Sequence, residues 1–265
     1  MSNILAIAQK EIRAYLGSPI AYVVIGLFAV IFGVFYYAIL DWFVKQGMQM
    51  AMGMGMGPQS LNVNQQMIRP LLQNALVLLL FVIPIITMRL YAEEKRSGTI
   101  ELLLTSPLTD AQILVGKFLG AFTLFGALLL VTAVYVALLF AYGSPEWKPI
   151  VTSYIGLLLF GGCFIPVGML VSSLTKNQIV AAMVTFVMIL LLWVIDWLSS
   201  SASGLFGPTV GPVVEEVLNY LSVTQHFDDF AKGVIDTKHV IFYLSFITFG
   251  LFLTARAVDS ERWRG

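Results

Sequence analysis

Charged residues are scarce in this sequence. Asp, Glu, Lys and Arg make up only 11% of its 265 residues, whereas about 25% is usual in soluble domains. Hydrophobic residues make up 58% and lie in runs near the roughly 20 helical residues that cross the hydrocarbon of a bilayer. The composition excludes an ordinary soluble protein. It predicts an all-α polytopic membrane helix bundle of six spans with an N-terminal interfacial helix.

Cysteine and net charge are also lacking. Cys163 is the only cysteine in the sequence, so a disulfide within the chain is excluded. The 15 basic and 15 acidic residues cancel, and without a basic excess we expect no nucleic-acid partner. Lys10, Glu11 and Arg13 interrupt the first apolar residues, which is not typical of a signal peptide.

The apolar runs and their breaks predict one domain, 1–265. The interfacial helix is expected at 3–16, and external loops at 41–70 and 199–238. The second loop contains two short amphipathic helical stretches, 212–221 and 225–232. The spans are expected at about 19–40, 71–92, 112–142, 151–175, 178–198 and 239–257.

The distribution of Lys and Arg predicts the orientation. With the N-terminus in the cytoplasm, ten of the 15 basic residues fall on the cytoplasmic side, as is typical of membrane proteins. Both termini are then cytoplasmic, and residues 93–111 lie between the second and third spans on the same side.

Residues 93–111 hold the densest cluster of charges. Gly98 permits a turn, residues 100–104 form a short apolar helix, and Pro107 ends it. Thr109 and Gln112 then fit a capping box at the start of the next helix. The pattern predicts a rigid bracket whose leucines either dip into the membrane interface or bury against a partner protein.

The bracket resembles the coupling-helix segment in the permeases of ABC transporters of the second exporter class. The last external loop, with the entry to the final span at 221–244, resembles that of the gliding-motility and copper-enzyme-maturation branch. We therefore call residues 93–111 the coupling segment. The residues that match the family pattern are Glu93, Glu94, Lys95, Arg96, Gly98, Thr99, Glu101, Leu102, Leu103, Ser106, Pro107, Gly116 and Lys117.

The resemblance implies a multi-pass permease of the bacterial inner membrane, working as a homodimer or related heterodimer. An ABC ATPase subunit, which carries the ATP and Mg, would dock on the coupling segment from Glu93 to Pro107. Glu93, Glu94 and Glu101 would pair with basic residues at the rim of its groove. Membrane lipid and an extracytoplasmic auxiliary protein are further expected partners, and no cofactor is expected on this chain.

The sequence also lacks the means to supply energy itself. Gly116 and Lys117 are followed by Phe118 rather than Ser or Thr, and Ala111 occupies the position of the first P-loop glycine. The central thirds of the spans contain no ionisable residue of the kind that ion-coupled carriers use. We therefore expect a non-enzymatic subunit of an ATP-driven exporter. A non-transporting scaffold that binds partners through the same segment is the alternative.

Three sets of polar or sulfur-containing residues outside the coupling segment are further candidates for sites or contacts. The Met-rich stretch 48–56 could bind copper through sulfur, but its low complexity favours a flexible spacer. His226 and His239 could hold a metal, but their spacing fits no zinc pattern and favours positions on a helix surface. The amides of Gln73 and Asn74 need partners, which a second copy of the chain could supply.

Overall fold

The computed structural model describes residues 2–52, 62–101 and 107–262, and in these ranges every regular element is helical. Six helical stretches are long and apolar enough to cross a membrane, which confirms the predicted all-α bundle of six spans. In chain order the elements are α1 (Ser2–Leu16), α2 (Pro19–Ala51), a π-helical turn (Asn64–Ile68), α3 (Arg69–Thr87), α4 (Ala92–Ser97), α5 (Asp110–Tyr142), α6 (Trp147–Leu174), α7 (Gln178–Leu221), α8 (Val223–Ala231) and α9 (Thr237–Arg262).

The bundle has two ends that differ in their helices. Because the spans alternate in direction, α1, α4 and the first turn of α5 lie together at one end, which we call the coupling end. The helix α8 and the first turn of α9 lie at the other, which we call the far end.

The helix α6 lies at the centre of the bundle and is the most buried of the spans. Its glycines allow neighbouring helices to approach closely. A Cβ atom at Gly168 would lie 1.9 Å from Oγ1 of Thr87 on α3, and one at Gly161 would lie 2.3 Å from the ring of Phe125 on α5. Pro166 lies inside α6 without ending it. These glycines therefore let α3 and α5 pack closely against this span.

The first predicted loop is shorter than expected. The helix α2 continues to Ala51 instead of ending near residue 40. The added residues include no proline, and Lys45 donates to Asp41 one turn away at 2.6 Å, a spacing that supports a helix. The Met-rich stretch lies partly in this extension, while its residues 53–61 lie outside the described residues.

The second predicted loop is largely helical. The helix α7 runs to Leu221 and is interrupted at Gly207, whose φ of 76° lies in the left-handed region that favours glycine. The predicted stretch 212–221 forms the second part of α7, and the stretch 225–232 corresponds to α8. Both stretches are therefore helical, as predicted. Helices occupy most of the region 199–238 that was expected to be a loop.

Candidate coupling site

A serine hydroxyl of α6 binds the backbone at the start of α4. The Oγ of Ser172 accepts hydrogen bonds from the backbone N–H groups of Tyr91 at 3.1 Å and Ala92 at 3.0 Å. The same hydroxyl donates to the carbonyl oxygen of Met88 at 2.9 Å. The amine of Lys95 donates to the carbonyl oxygen of Ser173. These bonds fix the start of the coupling segment to the end of a central, buried helix.

The two helix boundaries within the coupling segment, the end of α4 and the start of α5, have the predicted caps. Gly98 ends α4 with a φ of 74°, a left-handed conformation typical of glycine after a helix. At the other end, the Thr109 hydroxyl accepts from the N–H of Gln112, and the Gln112 side chain accepts from the N–H of Thr109, both at 3.3 Å. The capping box is confirmed, and it gives α5 a defined start.

A cluster of four charged side chains, three of them buried and the fourth exposed, lies behind the coupling segment. The amine of Lys117 on α5 lies 3.0 Å from a carboxylate oxygen of Glu11 on α1 and 2.9 Å from one of Glu94 on α4. It also donates to the carbonyl oxygen of Leu90 at 2.6 Å. Lys10 of α1 donates to Glu94 at 2.7 Å. One cluster therefore joins three helices.

Three members of the cluster are nearly removed from solvent, whereas the side chain of Lys10 is 59% exposed. The exposed fractions of the side chains are 1% for Lys117, 9% for Glu11 and 11% for Glu94. Charges buried in this way are costly unless they are paired, and here two amines balance two carboxylates. Burial opposes the charge on Lys10, but the bond to Glu94 and the carboxylates of Glu11 and Glu93 outweigh it and raise the pKa of Lys10.

Two glycines bring α1 against α5 at the level of this cluster. A Cβ atom at Gly116 would lie 2.7 Å from Cβ of Ile7, and one at Gly120 would lie 2.6 Å from Cβ of Glu11. Real Cβ atoms do not approach so closely, so this position of α1 requires glycine at both sites. The Gly-x-x-x-Gly spacing is a known signal for close helix packing, and it was the sequence feature that could have revealed this contact.

A buried tyrosine attaches the C-terminal part of α1 to α3. The hydroxyl of Tyr15 donates to the carbonyl oxygen of Ile86 at 2.6 Å, and the guanidinium of Arg89 lies 5.1 Å from the centre of the Tyr15 ring. Burial raises the pKa of the Tyr15 hydroxyl, so the group stays a neutral donor. The predicted interfacial helix is thus packed onto α3 and α5 in addition to any contact with lipid.

The structure divides the predicted docking residues into two groups. Glu94 and Lys95 are buried, and a pairing of Glu94 with basic residues at an ATPase groove stays a prediction. These two residues lie on the face of α4 that points to the bundle, where Lys10, Lys117 and Ser173 already bond to them. The exposed residues of the predicted set are Glu93, Arg96, Gly98, Thr99, Glu101 and Pro107.

The remaining predicted docking residues, Leu102, Leu103 and Ser106, lie outside the described residues. Among the exposed group, Glu93 pairs within its own helix turn with Arg89 at 3.0 Å. The outward face of the described coupling segment is therefore polar.

Two other sequence expectations are corrected at the far end. The amide of Gln73 donates to Asp228 at 2.9 Å, and that of Asn74 donates to the carbonyl oxygen of Pro70 at 2.9 Å. Both partners lie in the same chain, so a second copy is not needed to satisfy these groups. His226 and His239 are buried rather than on a helix surface, because α8 folds back onto α9.

Comparison with known proteins bears on this arrangement. The sequence pattern of the family described as "ABC-2 family transporter protein" matches residues 5–257. The chain belongs to this family. With its six spans it is a multi-pass membrane protein of an ABC-2 transporter.

A relative with a described role is the "Probable multidrug ABC transporter permease YbhR" of Escherichia coli strain K12, and the same protein from strain O157:H7 matches equally. The identity is 29% over 150 residues, which is 57% of the ABC-2 chain described here and 39% of the relative. The matched stretch thus spans well under half the length of these relatives.

Proposed function

We propose that this chain is the membrane subunit of an ATP-driven exporter in the bacterial inner membrane, with both termini in the cytoplasm. A separate ABC ATPase, which holds the ATP and Mg, docks on the coupling segment, and two membrane subunits form the pathway. The family match and the relative's printed description as a multidrug transporter permease support transport over the scaffold alternative. The assignment to the gliding-motility and copper-enzyme-maturation branch stays a prediction.

The observation that carries this proposal is the buried charge cluster behind the coupling segment. A partner that pushes on the exposed face of α4 also pushes on Glu94, which is bonded to Lys117 of α5 and Lys10 of α1. Because separating buried opposite charges is costly, these helices are expected to move together. The cluster therefore converts a local displacement into movement of the third span and of the N-terminal helix.

The caps limit how much of that displacement is lost within the segment. The start of α4 is fixed by Ser172 and the start of α5 by the Thr109 capping box. Between them, Leu102 and Leu103 provide the apolar anchor for the ATPase, while Glu93, Arg96 and Glu101 form the polar rim. Buried apolar anchors supply most of the affinity in such contacts, and rim charges mainly guide association.

The decisive experiment replaces Leu102 and Leu103 by Asp and asks whether an ATPase still associates. The full chain is purified in detergent with its candidate ATPase, and both co-purification and ATP turnover are measured. We expect the double variant to insert into the membrane normally but to lose the ATPase and the stimulated turnover. Leu221→Asp is the matched control, because Leu221 is an exposed leucine at the far end and its replacement should leave both readouts unchanged.

Three results would contradict the proposal. Retention of the ATPase by the double variant would mean that the leucines contact the membrane interface instead. Absence of any nucleotide-binding subunit from the purified wild-type chain would favour the scaffold. If the ATPase binds but its turnover in vesicles is independent of cargo, the scaffold interpretation is again favoured.

A further inference from the structure

Two histidines face each other inside the far end of the bundle. The Nδ1 atoms of His226 on α8 and His239 on α9 lie 2.6 Å apart. The outer nitrogen of His226 lies 3.1 Å from the carbonyl oxygen of Tyr220, and that of His239 lies 2.8 Å from Oδ2 of Asp229. The two side chains are 7% and 5% exposed. A chain of hydrogen bonds thus runs from Tyr220 to Asp229 through both rings.

Counting protons along this chain fixes its charge. A carbonyl oxygen only accepts, so Nε2 of His226 carries a proton. The carboxylate of Asp229 also accepts, so Nε2 of His239 carries one, and the short contact between the Nδ1 atoms needs one more. Two neutral imidazoles hold two protons in total, whereas this arrangement requires three. The pair therefore carries one additional proton, whose positive charge is balanced by Asp229.

We propose that His226, His239 and Asp229 form a site that binds a single proton and thereby holds α8 against α9. Addition of a second proton would point two N–H groups at each other, and loss of the proton would leave two lone pairs facing across the same gap. Either change breaks the contact between the helices. The site is independent of the proposed coupling to an ATPase.

The surroundings support a proton as the ligand. The described residues contain no group of three or more His, Cys, Asp or Glu side chains arranged to hold a metal ion. Both histidines line a cavity of about 400 Å³, through which protons can exchange with solvent. Burial, followed by the nearby charges of His239 and Lys238, lowers the pKa of His226.

The other charged groups near the pair are already engaged or lie at the cavity wall. On α8, Asp228 bonds to Gln73 and lies 3.6 Å from Arg69, and Lys232 pairs with Asp229 at 3.1 Å. Lys238 pairs with Asp236 just before His239 at 3.3 Å. On α7, Glu216 is exposed and lines the same cavity. The contact with His239, together with Lys232, lowers the pKa of Asp229 and keeps it a carboxylate.

The sequence makes this proposal easy to test, because it contains only these two histidines. The full chain is labelled with ¹⁵N-histidine, placed in detergent, and its ring nitrogens are observed by NMR. At pH 7 we expect one ring protonated on both nitrogens and one neutral ring protonated on Nε2. At about pH 5 we expect both rings to be cationic, and the protection factors of the amides in residues 223–231, which correct for slower intrinsic exchange in acid, should fall by about tenfold or more. Two neutral rings at pH 7, or unchanged protection factors at pH 5, would overturn the proposal.

A pair of variants separates the site from its surroundings. Asp229→Asn removes the balancing charge, so the cationic ring signal at pH 7 should disappear. Glu216→Gln changes a carboxylate on the same cavity wall that does not bond to either ring, and its spectrum should match that of the wild type. If both variants keep the cation, or both lose it, Asp229 is not the partner that holds the proton.

Discussion

The two ends of the bundle both bury polar groups, but with different chemistry. At the coupling end the cluster consists of amines and carboxylates on α1, α4 and α5, residue types that ionise far from neutral pH. At the far end the buried groups are the imidazoles of His226 and His239, a residue type that titrates near pH 6.5. Ion pairs thus hold the coupling end together, and the far end is held by the histidine pair that we propose binds one proton.

This difference matches what each end is proposed to do. A docking end must transmit movement under all conditions in the cell, and paired permanent charges keep the coupling segment, α1 and α5 together. The far end faces a compartment whose acidity varies more in the proposed orientation. In the proposed proton site, a change in protonation would free α8 from the last span, and that site shares no residue with the charge cluster at the coupling end.

The largest expected effect comes from breaking the charge cluster. Lys117→Met would leave Glu11 and Glu94 buried with Lys10 alone, and removing one partner of a buried pair costs about 3–5 kcal/mol. We expect a large loss of stability in detergent unfolding measurements, together with loss of any ATPase stimulation. Lys45→Met is the control, because its pair with Asp41 is exposed, and it should unfold almost as the wild type does. Equal stability of the two variants would show that the charge cluster does not stabilise the bundle.

The second effect tests the packing of α1 on α5. Gly120→Ala would put a Cβ atom 2.6 Å from Cβ of Glu11, and such overpacking costs about 1–3 kcal/mol. Gly126→Ala on the same helix meets nothing within 4 Å and should be neutral or stabilising, because alanine favours helices over glycine by up to about 1 kcal/mol. Unfolding midpoints of the two variants give the comparison. If both shift equally, close approach of α1 is not what Gly120 provides.

The local parts of this arrangement could be predicted from sequence. The spans follow from apolar runs, the turn at Gly98 from glycine, and the start of α5 from Thr109 and Gln112. In each case the signal lies within a few residues of the feature that it predicts. Their causes are short-range, namely backbone conformation and capping. The exposed part of the coupling segment was therefore predicted in outline, although the role of its leucines stays a prediction.

The long-range parts could not be predicted in the same way. Lys117 and Glu11 are separated by 106 positions, and neither residue type nor helix period shows that they meet. Glu94 and Lys95 were assigned to the docking surface because they belong to a charged stretch, yet burial is decided by which face of α4 meets α6. The histidine pair depends on α8 folding back onto α9, which only the tertiary structure reveals.

A smaller effect concerns the cap of α5. Thr109→Ala removes the side chain that accepts from Gln112, and loss of such a cap costs about 1 kcal/mol. Because the cap lies between the docking region and the charge cluster, we expect a clear loss of ATPase stimulation even though the loss of folding free energy is small. Thr109→Ser keeps the acceptor and should restore both. Unchanged stimulation in the alanine variant would mean that a stiff start of α5 is not required.

The smallest effect concerns pH and distinguishes the two ends most directly. Because the folded-state pKa of His226 lies below its ordinary value, the unfolded chain binds a proton at this residue as the pH falls below about 6.5, while the folded chain does not. Proton binding to the unfolded state lowers the free energy of unfolding, so stability should decline on acidification from about 6.5 toward the folded pKa. His226→Gln should weaken this decline, whereas Lys117→Met should leave its slope unchanged despite a lower overall stability. An equal slope in wild type and His226→Gln would show that the far end is not the source of the pH dependence.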